Sequence, residues 1–159
     1  MLRITKAKSK SSINNTRELF REYASSLGFE LSFQDFDKEL AGLPGEYAPP
    51  YGCILLARVD GSIAGCVALR KIENDICEMK RLYVRSQFRG RKIGQKLAAR
   101  IIEEAGRLGY KTMRLDTVPQ MKEAVALYRS FGFTQIPPYR HNPIPGAMFF
   151  EMSLKQPTN

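Results

Sequence analysis

Alternating and helically spaced hydrophobic residues predict a strand and two helices in the first part of the chain. Residues 2–7 alternate weakly and predict a short strand. Hydrophobic residues then recur near helical spacing as far as Leu27, behind serine and asparagine N-cap candidates, and Gly28 follows as a stop signal. Residues 33–43 predict a second, shorter helix with Phe36 and Leu40 on one face.

The middle of the chain has the pattern of three consecutive strands joined by tight turns. Residues 53–59 and 62–72 flank Asp60-Gly61, a pair that is typical of two-residue hairpin turns. A second turn at residues 73–75 precedes a third strand at residues 76–84. This order predicts an antiparallel meander.

A helix and a further strand follow the meander. The predicted buried face of the helix consists of Ile93, Gly94, Leu97, Ala98, Ile101, Ala105 and Leu108. Gly109 ends the helix, and residues 111–117 return as a strand. A strand, a helix and a strand in succession predict a parallel, right-handed β-α-β crossover.

The last part of the chain predicts a short helix at residues 121–131 and closing strands at residues 133–136 and 147–154. Together the elements predict an α/β fold with a mixed sheet, in which most strand pairs are antiparallel and one is parallel. Because no repeat, low-complexity tract or linker interrupts residues 1–159, we expect a single domain.

Two proline-rich segments, residues 43–52 and residues 137–146, separate some of these elements. Their prolines and glycines predict irregular backbone. Each segment is either a plain surface connection or a wall of a binding site, because proline-stiffened loops present side chains at a low entropy cost. The sequence leaves both interpretations open.

The positive charge of the chain is concentrated in one segment. The formal net charge is +9, and eight of the 25 Lys and Arg lie between Glu78 and Arg100. A positive turn entering a helix is an anion site, because the first amides of the helix are unpaired and its dipole adds positive charge. A single local cluster favours a phosphate-bearing ligand over a nucleic acid, so we expect no nucleic-acid partner.

Hydropathy and cysteine usage indicate the setting of the protein. No apolar run approaches the roughly 20 residues that span a bilayer, and the basic N-terminus lacks the apolar region of a secretory signal. Cys53, Cys66 and Cys77 follow no metal-binding or redox spacing and lie in apolar runs. We therefore expect a cytoplasmic protein with buried, reduced cysteines, no metal site and no membrane partner.

The basic turn matches neither the Walker loop nor the dinucleotide-binding fingerprint, because no Gly-Lys-Ser/Thr follows it and GxGxxG is absent. The sequence RGRKIG at residues 89–94 instead resembles the Arg/Gln-x-x-Gly-x-Gly/Ala turn of the GCN5-related N-acetyltransferase (GNAT) superfamily. Two further segments carry the resemblance: MKRLYV at residues 79–84 and AVALYRSFGF at residues 124–133.

The resemblance implies the GNAT fold, acetyl-CoA as cosubstrate and a central sheet that splays between the strands of Leu82 and Leu115. It places the pyrophosphate on the amides of the turn and the pantetheine arm beside the preceding strand. The implied cofactor-binding residues are Leu82, Tyr83, Val84, Arg89, Gly90, Arg91, Lys92, Ile93, Gly94, Gln95 and Ala124. Lys92 stands where the family often has glycine, and we expect it to keep a right-handed helical backbone.

Acetyl transfer to an amine needs a base for the amine proton and an acid for the departing thiolate. Tyr128 matches the family tyrosine at the position of the general acid, and the alternative is a core aromatic on an amphipathic helix. Glu78 corresponds to a glutamate that serves as the base in some family members, often through water. The alternative for Glu78 is a surface glutamate at a strand edge.

The resemblance implies an acceptor site built from the first two helices, the loop after them and the last strands. Glu46, Tyr47, Tyr139 and Asn142 are its implied substrate-binding residues, and Arg140 would suit a carboxylate. We therefore expect an N-acetyltransferase, monomeric or homodimeric, whose primary amine substrate is a small polar molecule or an amino acid that attacks directly in a ternary complex. A protein N-terminus or lysine remains an alternative acceptor, and an acyl-CoA-binding sensor module without catalysis is the alternative function.

Overall fold

The computed structural model describes residues 1–28, 31 and 35–155, and this part of the chain contains a seven-stranded sheet. Across the sheet the strands lie in the order β1-β2-β3-β4-β5-β7-β6. Their bounds are Leu2–Lys6 (β1), Cys53–Val59 (β2), Ser62–Glu73 (β3), Ile76–Val84 (β4), Thr112–Thr117 (β5), Thr134–Ile136 (β6) and Met148–Ser153 (β7).

Four α-helices accompany the sheet within the described ranges: Lys10–Ser26 (α1), Phe36–Ala41 (α2), Ile93–Arg107 (α3) and Lys122–Phe131 (α4). The predicted start of the second helix, at residues 33 and 34, lies outside the described residues. Helix α1 begins one turn earlier than its asparagines suggested, because the Ser9 hydroxyl accepts a hydrogen bond from the Ser12 amide at 3.0 Å. Gly132 ends α4 in the left-handed conformation, with φ 102°.

Helices cover both faces of the sheet, and each face has its own hydrophobic core. Helices α3 and α4 pack on one face, where Leu97 is fully buried. Helices α1 and α2 pack on the other face around Phe20 and Leu40. Alternation along β2 sends Leu55 into the first core and Leu56 into the second. The sheet is therefore the layer that carries residues to both sides of the molecule.

The strand pairing confirms the predicted fold class. Strands β2, β3 and β4 form the antiparallel meander, and β4 pairs in parallel with β5 after the crossover through α3. Strand β5 pairs antiparallel with β7, which in turn pairs with β6. The expected mixed α/β sheet is thus present, with a parallel pair at its centre.

Strand β4 bends at Arg81, whose φ of 62° lies in the left-handed region. The register between β3 and β4 shifts at the same place, between Cys66 and Ala68. The buried Arg81 guanidinium holds this bend, because its Nε and Nη2 donate to the Glu39 carboxylate of α2 at 3.0 and 2.9 Å.

The central sheet opens on the β5 side of this bent strand, beginning just before the bend. The pairing of β4 with β5 runs from Ile76–Thr112 to Glu78–Arg114, after which β4 continues to Val84 and β5 to Thr117 on diverging paths. The predicted splay of the sheet is therefore confirmed, and it leaves one edge of residues 79–84 facing a gap.

Some local expectations from the sequence are wrong. Leu108 is 40% exposed because it is the C-cap residue of α3 and lies past the part of the helix that faces the sheet. The first proline-rich segment contains one 3₁₀ turn, Gly45–Tyr47, although irregular backbone was expected throughout.

The three cysteines are buried and unbridged, as expected. No helix among the described residues has the length and apolar composition to cross a membrane.

Candidate active site

An open groove extends from the gap in the sheet to the N-terminus of α3. Its walls are the end of β4, the turn before α3 and the start of α4. Ten of the eleven implied cofactor-binding residues line this groove: Leu82, Tyr83, Val84, Arg89, Gly90, Lys92, Ile93, Gly94, Gln95 and Ala124. The structure places the eleventh, Arg91, with its guanidinium over the Phe88 ring at 5.6 Å. The structure thus brings ten of these residues to one groove, and their cofactor-binding roles stay predictions.

The N-terminus of α3 offers backbone amides to the groove. The first hydrogen bond of the helical ladder joins the Lys96 amide to the Lys92 carbonyl, so the amides of residues 93–95 lie outside that ladder. Gly90, with φ 84°, turns the chain toward the helix, and a Cβ built there meets no atom within 4 Å. Accessible amides at a helix N-terminus fit the pyrophosphate of a CoA molecule.

The expected right-handed backbone at Lys92 is wrong. Lys92 is the N-cap residue of α3, with φ 62° and ψ 22°, and its side chain makes no capping hydrogen bond. The turn needs a left-handed residue immediately before the helix, which explains why glycine would suit this position. The lysine adopts the same conformation at a steric cost, so the amides of the following turn keep their direction.

Not all of the basic segment faces the groove. Arg85 donates to the Glu22 carboxylate through Nε and Nη2, at 3.0 and 2.7 Å, and to Glu18 at 3.0 Å. Arg89 donates through Nε to the Val84 carbonyl at 3.0 Å. Part of the charge cluster therefore fastens α1 to β4 and shapes the turn.

A second, more enclosed cleft lies where β4 and β5 diverge. Leu82 and Met121 line both this cleft and the groove, so the two spaces adjoin each other. Polar side chains reach the cleft from α1, β4, β5, α4 and the second proline-rich segment. They belong to Tyr23, Lys80, Arg81, Asp116, Thr117, Tyr128 and Asn142.

Tyr128 is a wall residue of the cleft and is only 8% exposed. Its ring packs edge-to-face on Phe133, with 5.8 Å between ring centroids. Burial is the main reason that its pKa lies far above the ordinary value, with Tyr23 and Asp116 acting in the same direction. The hydroxyl is therefore protonated at neutral pH, so a packed ring and a proton donor are compatible here.

Glu78 is fully buried at the centre of an ionic network. Arg70 Nε donates to one carboxylate oxygen at 2.8 Å, and the Tyr139 hydroxyl donates to the other at 2.6 Å. Arg140 also donates to that second oxygen. Arg70 further pairs with Glu46, so the network joins the first proline-rich segment to the second across β3 and β4.

The surroundings of Glu78 set its protonation. Burial alone would raise its pKa, but Lys80, Arg140 and Arg70 outweigh this effect and hold the pKa below its ordinary value. A strongly ionised carboxylate that already accepts three hydrogen bonds is a weak proton acceptor. The surface alternative for Glu78 is wrong, and its role as a base stays a prediction.

The four implied substrate-binding residues do not gather at the cleft. Asn142 lines it and donates to Asp116 at 3.2 Å. Tyr139 and Glu46 belong to the ionic network. Tyr47 is 3% exposed and packs edge-to-face on Phe20 in the core under α1. The substrate roles of these residues stay predictions, and the packing of Tyr47 speaks against a direct contact.

Sequence reasoning missed Lys80 as a residue of the cleft. Lys80 is 8% exposed and follows Glu78 by two positions, so both side chains lie on the same face of β4. The available signal was a group of charged residues, Glu78, Lys80 and Arg81, between the hydrophobic ends of one strand. Lys80 was instead interpreted as part of the basic segment between Glu78 and Arg100.

Comparisons with known proteins agree with this geometry. The model of the Acetyltransferase (GNAT) family matches residues 13–133. An uncharacterized N-acetyltransferase of Schizosaccharomyces pombe is 41% identical over 155 residues, which cover 96% of this chain and 95% of that protein.

Solved structures share the fold. A GNAT-family acetyltransferase from Staphylococcus aureus has a TM-score of 0.80 at 20% identity, covering 98% of this chain and 100% of that chain. A Salmonella typhimurium protein solved with its cofactor acetyl-CoA has a TM-score of 0.73 at 21% identity, covering 99% of this chain and 96% of its own. The family model and the Schizosaccharomyces pombe relative show that the chain belongs to the Acetyltransferase (GNAT) family and is an acetyltransferase.

Proposed function

We propose that the protein transfers an acetyl group from acetyl-CoA to the primary amine of a small polar molecule, by direct attack in a ternary complex. One observation carries this proposal: the amide-lined groove and the polar cleft adjoin at Leu82 and Met121, so ligands bound in the two spaces would lie next to each other. Binding both reactants at one junction lowers the entropy cost of their encounter.

The residues of the groove support the cofactor part of the proposal. Acetyl-CoA supplies the acetyl group as a thioester, which an amine can attack. The amides of residues 93–95 and the open backbone at Gly90 would hold its pyrophosphate. The edge of β4 at residues 82–84, which does not pair with β5, would hold the pantetheine arm through main-chain hydrogen bonds.

Tyr128 supports the proton transfer to the leaving sulfur. Its hydroxyl belongs to the wall of the cleft and stays protonated at neutral pH. A thiolate that forms in this enclosed space needs a proton donor within hydrogen-bond reach. We therefore assign Tyr128 as the general acid and keep Glu78 as the predicted base, acting through water.

Replacement of Tyr128 by phenylalanine tests the acid role. Tyr128→Phe keeps the packed ring and removes the proton, so kcat should fall about 100-fold, while the acetyl-CoA dissociation constant stays within about twofold. Release of free thiol with a panel of amines would measure turnover, and calorimetry would measure binding.

Tyr23→Phe is the matched control, because Tyr23 lines the same cleft and its pKa is also raised by burial. Its kcat should stay within about threefold of the original enzyme. An unchanged kcat in Tyr128→Phe would remove the acid assignment. Loss of acetyl-CoA binding in the same variant would show that the hydroxyl contributes to cofactor binding and not specifically to proton transfer.

A further inference from the structure

The second proline-rich segment, residues 137–146, covers the Glu78 face of the sheet at β5 and β7. Arg114 of β5 is the register partner of Glu78 in β4. Phe149 of β7 is the register partner of Asp116, which lies two positions after Arg114 on the same face of β5. The Tyr139 ring packs edge-to-face on Phe149, with 5.3 Å between ring centroids, and the Arg114 guanidinium lies over the same ring at 5.3 Å. The ring therefore contacts two strands of this face.

The hydroxyl of Tyr139 extends this contact to a third strand. It donates to Glu78 Oε2 of β4 at 2.6 Å, and the Glu78 side chain is fully buried. A hydrogen bond to a buried, ionised carboxylate is stronger than one between neutral groups, and its loss is not readily replaced by water. Arg140, the next residue, donates to the same oxygen. Two neighbouring side chains thus bind the segment to one buried point of the sheet.

The backbone of the segment contributes few contacts that could fix its position. It lies between the end of β6 at Ile136 and the start of β7 at Met148, outside the strand ladder. Four of its ten residues are proline, which has no main-chain donor. The position of the segment therefore depends mainly on its side chains.

The same segment brings Asn142 to the wall of the polar cleft. Asn142 Nδ2 donates to Asp116 at 3.2 Å, and Asn142 Oδ1 accepts a hydrogen bond from the Ile144 amide at 3.1 Å. Both ends of the side-chain amide are occupied, which fixes its orientation and that of the Asp116 carboxylate. Asn142 and Asp116 line the cleft, and Tyr139 precedes Asn142 by three positions. A movement of the segment away from Glu78 would therefore change this wall.

We propose that Tyr139 is a positioning residue for the amine substrate: its hydrogen bond to Glu78 holds the second proline-rich segment against the sheet, so that Asn142 and Asp116 keep their places in the cleft wall. The inference rests on the proposed acetyl transfer in that cleft. It differs from the role implied by the family resemblance, because Tyr139 acts on the substrate through the segment and not by direct contact. Glu78 has a structural role here, as the carboxylate that accepts these hydrogen bonds.

Tyr139→Phe tests this role, because it keeps the ring on Phe149 and removes only the hydroxyl. The amines tested would be the twenty L-amino acids, polyamines and short peptides. The KM for each accepted amine should rise about tenfold, the effect of one lost hydrogen bond to a charged group. The value of kcat should stay within about threefold, because the reacting groups are unchanged. The acetyl-CoA dissociation constant should stay within about twofold, because other segments form the walls of the groove.

Tyr110→Phe is the matched control. Tyr110 is buried, and its hydroxyl donates to the Tyr51 carbonyl in the first proline-rich segment at 2.6 Å, the same distance as in the Tyr139 contact. The KM of this variant for amines should stay within about twofold of the original enzyme. A similar rise of KM in Tyr110→Phe, or an equal loss of acetyl-CoA affinity in Tyr139→Phe, would show a general loosening of the fold and overturn the inference.

Asn142→Ala separates positioning from direct contact with the amine. If Tyr139 acts through the segment, Tyr139→Phe in the Asn142→Ala background should raise KM by less than about threefold, because the contact that Tyr139 positions is already absent. If the Tyr139 hydroxyl binds the amine itself, the effects of the two substitutions should multiply, and the inference fails.

Trypsin provides a readout without turnover. Cleavage after Arg140 requires the segment to leave the sheet, because the Arg140 side chain is 21% exposed and pairs with Glu78. The rate of cleavage between Arg140 and His141, followed by mass spectrometry, should be about tenfold higher in Tyr139→Phe than in the original protein and unchanged in Tyr110→Phe. Equal rates in Tyr139→Phe and the original protein would overturn the inference. Faster cleavage without turnover of any amine would refute the proposed transfer and support the attachment of the segment through Tyr139.

Discussion

Replacement of Lys92 by glycine should stabilise the protein. Lys92 precedes α3 with φ 62° and ψ 22°, a conformation in which any Cβ crowds the backbone. Lys92→Gly removes that crowding and the charge together. Lys92→Ala removes the charge and keeps the Cβ, so the difference between the two variants reports the backbone alone.

The expected size of this difference follows from two opposing effects. The left-handed conformation costs a non-glycine residue about 1–2 kcal/mol. Glycine loses about 0.4–1 kcal/mol more conformational freedom on folding than alanine. The glycine variant should therefore be more stable than the alanine variant by about 0.5–1 kcal/mol. Glycine is also preferred over alanine at N-cap positions, which changes the stability in the same direction.

Thermal melting and urea denaturation of the two variants would measure this difference. A change of this size corresponds to roughly 1–4 °C in melting temperature for a chain of 159 residues. Both variants lose the same charge from the groove, so their acetyl-CoA affinities should agree within about twofold. An alanine variant as stable as the glycine variant would show that Lys92 does not adopt the left-handed conformation in solution.

Three further changes test other parts of the structure. Gly65→Ala should destabilise by about 2 kcal/mol or more in urea and weaken acetyl-CoA binding, because its Cβ would lie 2.4 Å from the Tyr83 carbonyl oxygen; Gly42→Ala, with its nearest atom at 3.4 Å, is the control. Glu78→Gln should lower the free energy of unfolding by about 2–3 kcal/mol at pH 7, and an unchanged stability would contradict the ionic network. Burial and neighbouring guanidiniums lower the pKa of Lys80 from its ordinary value of 10.5 to about 8 in the folded protein. Between these two pH values the unfolded chain binds more protons than the folded protein. The free energy of unfolding should therefore rise with pH by up to about 3 kcal/mol, and this rise should be absent in Lys80→Met.

The groove was predictable because its residues are adjacent in the chain. A strand, a basic glycine-containing turn and a helix start follow one another between Ile76 and Arg107, so local pattern and motif spacing define this wall. The bounds of β2 and β4 agree with the pattern for the same reason, since alternation and turn residues act locally.

The acceptor side was harder to predict, because its residues meet only through the tertiary fold. The Glu78 carboxylate accepts a hydrogen bond from Arg70, which is eight residues away along the chain. It also accepts hydrogen bonds from Tyr139 and Arg140, which are more than sixty residues away. No local pattern indicates such pairing, so the sequence could not show that Arg140 is bound to the Glu78 carboxylate. The burial of Tyr47 was hard to predict for a related reason, since its proline-rich surroundings indicate a surface segment whereas its ring packs in the core under α1.

The backbone of Lys92 illustrates a third limit. Helical pattern places a residue near a helix end without fixing which residue makes the left-handed turn. The family preference for glycine at this position indicated the conformation more reliably than the identity of the lysine did.

The bend at Arg81 has a consequence for which positions tolerate substitution. After the bend, Tyr83 and Val84 pair with β3 on one edge, and the other edge of residues 82–84 does not pair with β5. A ligand that completes that edge is recognised by groups that every residue except proline carries. In a saturation library at residues 82–84, active variants should therefore carry many different side chains, but not proline. Arg81 and Glu39 should tolerate little change, because they hold the opening in place before any ligand arrives.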